Sequence, residues 1–161
     1  MPRRFEVAPL PRNARVVGGL AVALGVAAVL ALVLDLAAGR SPLVASGFLT
    51  TVSLSLGWVW VDKPTHLELS GKNLVIVTGG RRRRLTVRAA RLASPDWHGG
   101  WFGPKFAING GFGWYGWFWH GGWQRAFVTD PARAVRLESA TGPVLVSPAD
   151  PGALLDALRG D

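Results

Sequence analysis

Two long uncharged segments near the N-terminus limit what this chain can fold into more than any other feature. Residues 16–34 are all Ala, Val, Leu or Gly, and residues 43–61 are also uncharged, although they include several Ser and Thr. As a helix, each segment would be roughly 28 Å long, close to the hydrocarbon thickness of a bilayer. Trp58 and Trp60, near the end of the second segment, suit the membrane interface. The sequence therefore predicts a transmembrane helical hairpin.

The residues around these segments bear on that prediction. Gly39 suits the end of one helix, and Ser41 followed by Pro42 suits the start of the next. A cleaved signal peptide is an alternative, because Arg3 and Arg4 precede the first apolar run. That run is longer than the roughly 7–15 apolar residues of a signal peptide, and a second run follows at once. Two buried helices of a soluble domain are the other alternative.

Lysine and arginine are distributed unevenly around the hairpin. The turn contains Arg40, whereas both outer sides carry more basic residues, namely Arg3, Arg4, Arg12, Arg15, Lys63, Lys72 and a run of arginines that begins at Arg81. Because basic residues favour the cytoplasmic side, both termini are expected there. This predicts a basic cytoplasmic tail over residues 1–15, spans over residues 16–34 and 43–61, and a cytoplasmic domain over residues 62–161.

Short strands separated by turn residues dominate the predicted cytoplasmic domain. Apolar and polar residues alternate in THLELSG, KNLVIVT is rich in β-branched residues, and the Gly-Gly pair that follows suits a tight turn. GWQRAFVTD, AVRLESA and PVLVS have the same character. At the end, Leu154, Leu155 and Leu158 lie on one face of a short helix. The predicted domain is mainly β, with one C-terminal helix.

The order of elements near the C-terminus is distinctive. WQRAFVTD is followed by a strand, a turn and then VLVSPADPGALLDAL. This order resembles the bacterial pleckstrin-homology-like (PH-like) family, in members that begin with two transmembrane helices. The resemblance implies a partly open barrel of about seven antiparallel strands with a C-terminal capping helix, and no catalytic residues. It carries over structural roles for Thr129 at a strand end, for Asp150 as the helix cap, and for the motif residues Ser147, Pro148 and Pro151.

The stretch GGFGWYGWFWHGGW combines glycine with aromatic residues to an unusual degree. Three interpretations are open: a core whose glycines let a small sheet curl, a loop in the lipid interface, or a platform of rings for a ligand. A domain of this size cannot bury every ring here, and exposed apolar patches mark membranes or partners. The candidates for partner or membrane contact are Trp101, Trp114, Trp117 and Trp119.

The arginine run is the second candidate site, and its members are Arg81, Arg82, Arg83 and Arg84. One interpretation is contact with anionic lipid headgroups. Another is a solvated strand edge that its charge protects from aggregation. Nucleic-acid binding is disfavoured, because the stretch lacks a recognition helix or an RNA-binding sheet motif.

No catalytic or metal-binding pattern is present in the sequence. There is no cysteine, and His66, His98 and His120 are not at metal-ligand spacing. Asp96, Asp130 and Asp150 each adjoin a proline, which suits turns and caps. The sequence therefore predicts a protein that is not an enzyme and needs no cofactor or metal.

Two hypotheses of function follow. In the first, an integral protein of a bacterial inner membrane presents a scaffold to a protein partner or to its own copies, with membrane lipids as a supporting contact. In the second, the domain is a sensory module that binds a lipid or another ligand through the aromatic–glycine stretch and the arginine run.

Overall fold

The computed structural model describes residues 2–39, 43–97, 105–108 and 112–160, with the backbone alone at 17, 44, 45, 55 and 105–108. Its helices are α1 (Arg12–Ala37), α2 (Leu43–Asp62) and α3 (Pro151–Arg159), and a short 3-10 helix spans Pro131–Arg133. Its strands are β1 (Arg3–Glu6), β2 (Pro64–Ser70), β3 (Asn73–Thr78), β4 (Arg82–Leu92), β5 (Lys105–Ile108), β6 (Trp114–Trp119), β7 (Trp123–Val128), β8 (Val135–Ser139) and β9 (Gly142–Val146).

The nine described strands form one sheet in the order β1-β2-β3-β4-β8-β9-β7-β6-β5. Neighbours are antiparallel except β7 and β9, which run parallel. The predicted mainly antiparallel sheet with a terminal helix is therefore confirmed at this level. The strand number and the parallel pair differ from the seven antiparallel strands that the PH-like resemblance implies. The strand β1, at the start of the chain, is one of the additional strands.

The segment that follows β1 is hydrogen-bonded to the segment that follows β9. Val7 forms a bridge with Pro148, the Ala8 amide donates to the Ser147 carbonyl at 2.8 Å, and the Ala149 amide donates to the Glu6 carbonyl at 2.8 Å. These bonds link two segments that are far apart in sequence. The sheet therefore curls back towards its own first strand.

The start of the chain differs from the sequence prediction. Residues 1–15 were expected to be a tail, but β1 pairs with β2 from Arg3–Leu69 to Glu6–His66. Phe5 packs against the core that β2 and β3 form. The physical reason is that β2 would otherwise leave a row of backbone donors and acceptors unpaired at the sheet edge. The sequence pattern does not indicate this strand, because its four residues are mostly charged and too few to show an alternation.

Buried side chains form two clusters. The aliphatic core lies under α3, and besides Phe127 its largest members are Leu67, Leu69, Leu74, Ile76, Leu137 and Leu154. The aromatic core lies between β6, β7 and the segment before β8, and it contains Trp97, Phe118, Ala126, Val128, Ala134 and Leu145. The Trp97 and Phe118 rings meet edge to face, with centroids 5.4 Å apart.

The helix α1 is long and apolar enough to cross a membrane. Its mean hydropathy is 2.7 over the best window, of which 6% is buried, and it lies near the N-terminus. Among the described residues it is the one helix that passes this test of length and composition. The helix α2 packs against it, and Val52 of α2 lies beside Gly25 of α1.

Candidate functional site

A cleft of about 640 Å³ lies where the C-terminal half of α2 meets the turn before β4 and the strands β6 and β7. Its lining is partly aromatic and partly charged, and includes Trp58, Trp60, Asp62, Arg81, Trp117 and Arg125. These residues come from four separate segments of the chain. We refer to this feature as the junction cleft.

Asp62, the last residue of α2, organises the charges of the junction cleft. Its side chain is 5% exposed and pairs with Arg83 at 3.6 Å and with Arg125 at 3.5 Å. The Trp58 indole Nε1 donates to the same carboxylate at 3.0 Å. One buried carboxylate therefore holds two guanidinium groups from β4 and β7 against the end of the helix.

The two guanidinium groups also lie against aromatic faces. Arg83 is 5.4 Å from the centre of the Phe127 ring, and Arg125 is 5.2 Å from the same ring and 5.5 Å from Trp117. Such contacts stabilise a cation by roughly 0.5–2 kcal/mol each, depending on how far water is excluded. They hold the charged groups in position without neutralising them.

Burial works against the charge of Arg125. Its pKa is lowered, first by desolvation and then by the nearby Arg83, whereas Asp62 acts in the opposite direction. The Nε atoms of Arg83 and Arg125 are buried, and no acceptor within the described ranges reaches them. The described lining of the junction cleft includes two arginines, Arg81 and Arg125, and one carboxylate, that of Asp62, so positive charge exceeds negative charge there.

The arginine run does not form one patch. Alternate residues of a strand point to opposite faces, so Arg83 points towards Asp62 while Arg82 pairs with Glu68 on the other face. Arg81 precedes β4 and lines the junction cleft, and Arg84 lines a separate polar depression. The structure thus brings Arg81 and Arg83 together with Arg125, which the sequence reasoning did not select.

The outer face of β2 carries a small ionic network. The Glu68 carboxylate lies 3.1 Å from the His66 Nε2 and also pairs with Arg82. The pKa of Glu68 is lowered, first by the hydrogen bond to His66 and then, against the effect of desolvation, by Arg82. This network is solvent-facing and separate from the junction cleft.

The candidate tryptophans have different environments. Trp114 is half-buried against the aromatic core, whereas Trp117 lines the junction cleft and is 41% exposed. Trp119 and Trp123 are 45% and 41% exposed and meet edge to face at 5.5 Å across the turn between β6 and β7. Trp101 lies outside the described residues. Trp123 was not selected from the sequence, although its position opposite Trp119 in a hairpin with a Gly-Gly turn was a usable signal.

The turn before β6 touches the two helices. Phe112 borders a small apolar cavity of about 200 Å³ together with Ala21 and Leu24 of α1 and Phe48 and Val52 of α2. The aromatic–glycine stretch therefore contacts the helices through Phe112 and through Trp117. From the C-terminal end of α2 to Phe48, this region extends roughly 21 Å along the helix, at 1.5 Å per residue.

The residues carried over from the family resemblance lie at the seam of the sheet. Thr129 follows the last residue of β7, and its amide donates to the Ser147 Oγ at 2.8 Å. The Thr129 hydroxyl donates to the Ala8 carbonyl, so the ends of β7, β9 and the first strand are joined. Asp150 caps α3 by accepting from the Ala153 amide at 3.0 Å, and Pro151 occupies the first turn.

A metal-binding cluster is not found among the described residues. Within the ranges that the structure describes, no three His, Cys, Asp or Glu side chains converge as they would around a metal ion. Comparisons of the chain with known protein families, with curated proteins and with solved structures find no match. The function is therefore inferred from the geometry of the chain itself.

Proposed function

We propose that this chain is a non-enzymatic integral protein of a bacterial inner membrane, in which a two-helix hairpin anchors a cytoplasmic PH-like domain. The observation that carries the proposal is the pairing of β1 with β2. These strands flank the helical segment, so both of its ends belong to one sheet and must lie on one side of a membrane. If α1 crosses the bilayer, α2 is the segment that returns.

The length and the hydrogen bonding of α2 support this role. Its 20 residues would be roughly 30 Å long as a helix. The hydroxyls of Ser46, Thr50 and Thr51 donate to carbonyls one turn earlier, at 3.1, 2.9 and 3.0 Å. Because these polar groups are satisfied within the helix, the cost of placing α2 in lipid is reduced. The basic residues beside the sheet favour the cytoplasm for both termini.

The exposed tryptophan pair supports a scaffolding role for the domain. Trp119 and Trp123 are 45% and 41% exposed and meet edge to face, so they form a partly exposed apolar tip. Tryptophan is frequent among the residues that dominate binding energy at protein interfaces. We propose that this tip binds a protein partner or a second copy of the chain at the membrane face.

The hairpin is tested by cysteine labelling in intact cells, since the natural chain has no cysteine. A membrane-impermeant maleimide should label Ala38→Cys, at the far end of α1, without permeabilisation. Pro2→Cys and Thr141→Cys should react only after the inner membrane is opened. Labelling of Thr141→Cys from outside would reverse the orientation, and release of the chain in detergent-free buffer would remove the anchor.

The scaffold is tested by co-purifying two differently tagged copies of the full chain from membranes. The double variant Trp119→Ser and Trp123→Ser should lose the association while remaining membrane-bound. Arg82→Gln with Arg84→Gln, on exposed positions of β4, is the matched control. Self-association that survives loss of both rings would exclude this tip as the contact between copies.

A further inference from the structure

We propose that the junction cleft binds the phosphate of an anionic membrane lipid, with the lipid chains lying along α2. The inference rests on the proposed membrane hairpin and goes beyond it by giving the sheet a specific ligand. The volume of about 640 Å³ is in the range of small-molecule sites. The class of ligand is inferred from the charge of the cleft and from its position beside α2.

The charge of the junction cleft favours an anion. Arg81 and Arg125 line the cleft together with one carboxylate, that of Asp62, and Arg83 pairs with the same carboxylate, so three positive charges and one negative charge leave a formal excess of two. Asp62 reaches only two of these guanidinium groups within hydrogen-bonding or ion-pair distance, and Arg81 is exposed. A phosphate bound here would neutralise the positive charge of the arginines that Asp62 does not balance.

The hydrogen-bonding capacity of the cleft favours phosphate among the possible anions. Arginine binds phosphate oxygens through two parallel N–H donors, which gives geometric selectivity as well as attraction. Arg81 is exposed and the Arg125 side chain is 22% exposed, and both residues line the cleft. Their accessible guanidinium N–H groups can donate to an incoming group that has several acceptor oxygens.

The position of the cleft favours a lipid over a free phosphate ion. Trp58 and Trp60 are 46% and 66% exposed at the sheet end of α2, and tryptophan is enriched at the headgroup level of membranes. From there the lining continues to Leu54, which is 70% exposed and lies roughly 12 Å along the helix from Asp62. A charged end and an adjoining apolar face match a phosphate joined to an acyl chain.

The side chain of Trp117 completes the site on the sheet side. Its ring centre lies 5.5 Å from the Arg125 guanidinium carbon, and the residue lines the cleft and is 41% exposed. An aromatic ring beside a guanidinium group limits the positions that the guanidinium can take. The Asp62 carboxylate has a similar role, since it fixes two arginines but also competes with a phosphate for them.

The proposal is tested by native mass spectrometry of the full chain in detergent micelles, with phosphatidylglycerol, phosphatidylcholine and inorganic phosphate as probes. The wild type should retain one phosphatidylglycerol per chain and discriminate against phosphatidylcholine. Arg81→Gln, and separately Arg125→Lys, should weaken retention about tenfold, the effect expected for one charge-assisted hydrogen bond. Arg125→Lys keeps the charge and so separates bidentate recognition from simple attraction.

The matched control is Arg82→Gln with Arg84→Gln, which removes two charges from β4 away from the cleft. It should retain phosphatidylglycerol as the wild type does. Equal losses in the control and cleft variants would show general surface attraction and overturn the proposal. Inorganic phosphate that binds as tightly as the lipid would identify a site for the free ion instead.

The test distinguishes this inference from the proposed anchor. Ala38→Cys labelled from outside, combined with no preference for phosphatidylglycerol, would refute the lipid site and leave the hairpin intact. Failure of the labelling pattern would refute both. If Arg125→Lys does not fold, Arg81→Gln still decides the outcome, because Arg81 is exposed and makes no ion pair among those the structure shows.

Discussion

The two cores of the sheet differ in what covers them. The aliphatic core is closed by α3, whose Leu154 is fully buried. The aromatic core buries Trp97 and Phe118, but the same strands leave Trp119 and Trp123 exposed. The aliphatic core is covered by a helix of the same domain, whereas the strands of the aromatic core leave two large rings partly exposed. This contrast suggests that the first end provides stability and the second provides contact.

The largest expected effect is at the buried ring of the aromatic core. Phe118→Ala should lower the free energy of unfolding by about 3–5 kcal/mol, because the fully buried ring leaves a cavity next to Trp97. Trp119→Ala, one residue later on the exposed face, should cost about 1 kcal/mol or less. Urea unfolding of the purified chain in detergent measures both. Equal losses of unfolding free energy in the two variants would contradict the distinction between the buried ring and the exposed ring.

The aliphatic end is tested at α3. Leu154→Ala should lower the free energy of unfolding by about 2–5 kcal/mol, since Leu154 is 0% exposed. Leu158→Ala, on the half-buried edge of the same helix, should cost clearly less. Thermal unfolding followed by circular dichroism provides the comparison. A result in which Leu158 matters more would mean that α3 docks through a different face.

The next largest effect is expected where the ends of β7 and β9 meet the segment after β1. Ser147→Ala removes the acceptor of the buried Thr129 amide, so a loss of about 1–3 kcal/mol is expected. Ser147→Thr retains the hydroxyl and is the matched variant. Hydrogen exchange at the Thr129 amide should accelerate in the Ala variant alone. Unchanged exchange would indicate that the seam is held by the backbone bonds of Ala8 and Ala149.

Removal of the α3 cap should have a smaller effect. Asp150→Ala leaves the Ala153 amide without its side-chain acceptor and should cost about 0.5–2 kcal/mol. Asp150→Asn, which keeps a cap oxygen, should be close to the wild type. Unfolding in urea measures the difference. An Asn variant as weak as the Ala variant would assign the effect to charge instead of capping.

The smallest effect is expected at the ionic network of β2. Folding lowers the pKa of Glu68, so its contribution to stability is present above the unfolded value and is lost as the pH falls through the lowered folded value. Glu68→Gln should therefore flatten the acid side of the stability profile slightly. The midpoint of unfolding, measured against pH for both proteins, provides the test. An unaltered profile would show that solvent screening cancels the network.

Local patterns in the sequence were sufficient for several elements. The apolar runs specify helices near residues 16–34 and 43–61, and α1 and α2 extend these by a few residues. Alternation predicted β2, the segment GWQRAFVTD was predicted to be the strand that is β7, and the Asp150-Pro151 pair marks the start of α3. Each of these signals is carried by neighbours in sequence, because hydrophobic period and capping act over a few residues.

The candidate site was only partly predictable. The arginine run and Trp117 stood out by composition, but Asp62 and Arg125 did not, since each is a single charged residue in an ordinary context. Trp114 was grouped with the exposed rings, yet it packs half-buried against the aromatic core. Which face of a strand becomes buried depends on the element that packs against it, and no local pattern specifies that element.

What the sequence by itself determined is the class of each segment: an apolar helical pair, a run of strands and a capped terminal helix. The tertiary structure alone decided that β1 pairs with β2 and that Asp62 meets Arg83 and Arg125. Asp62 and Arg125 are 63 residues apart in the chain. Local segments form through interactions among near neighbours, whereas a distant pair forms only when the whole sheet and helix bring two chemically ordinary residues together.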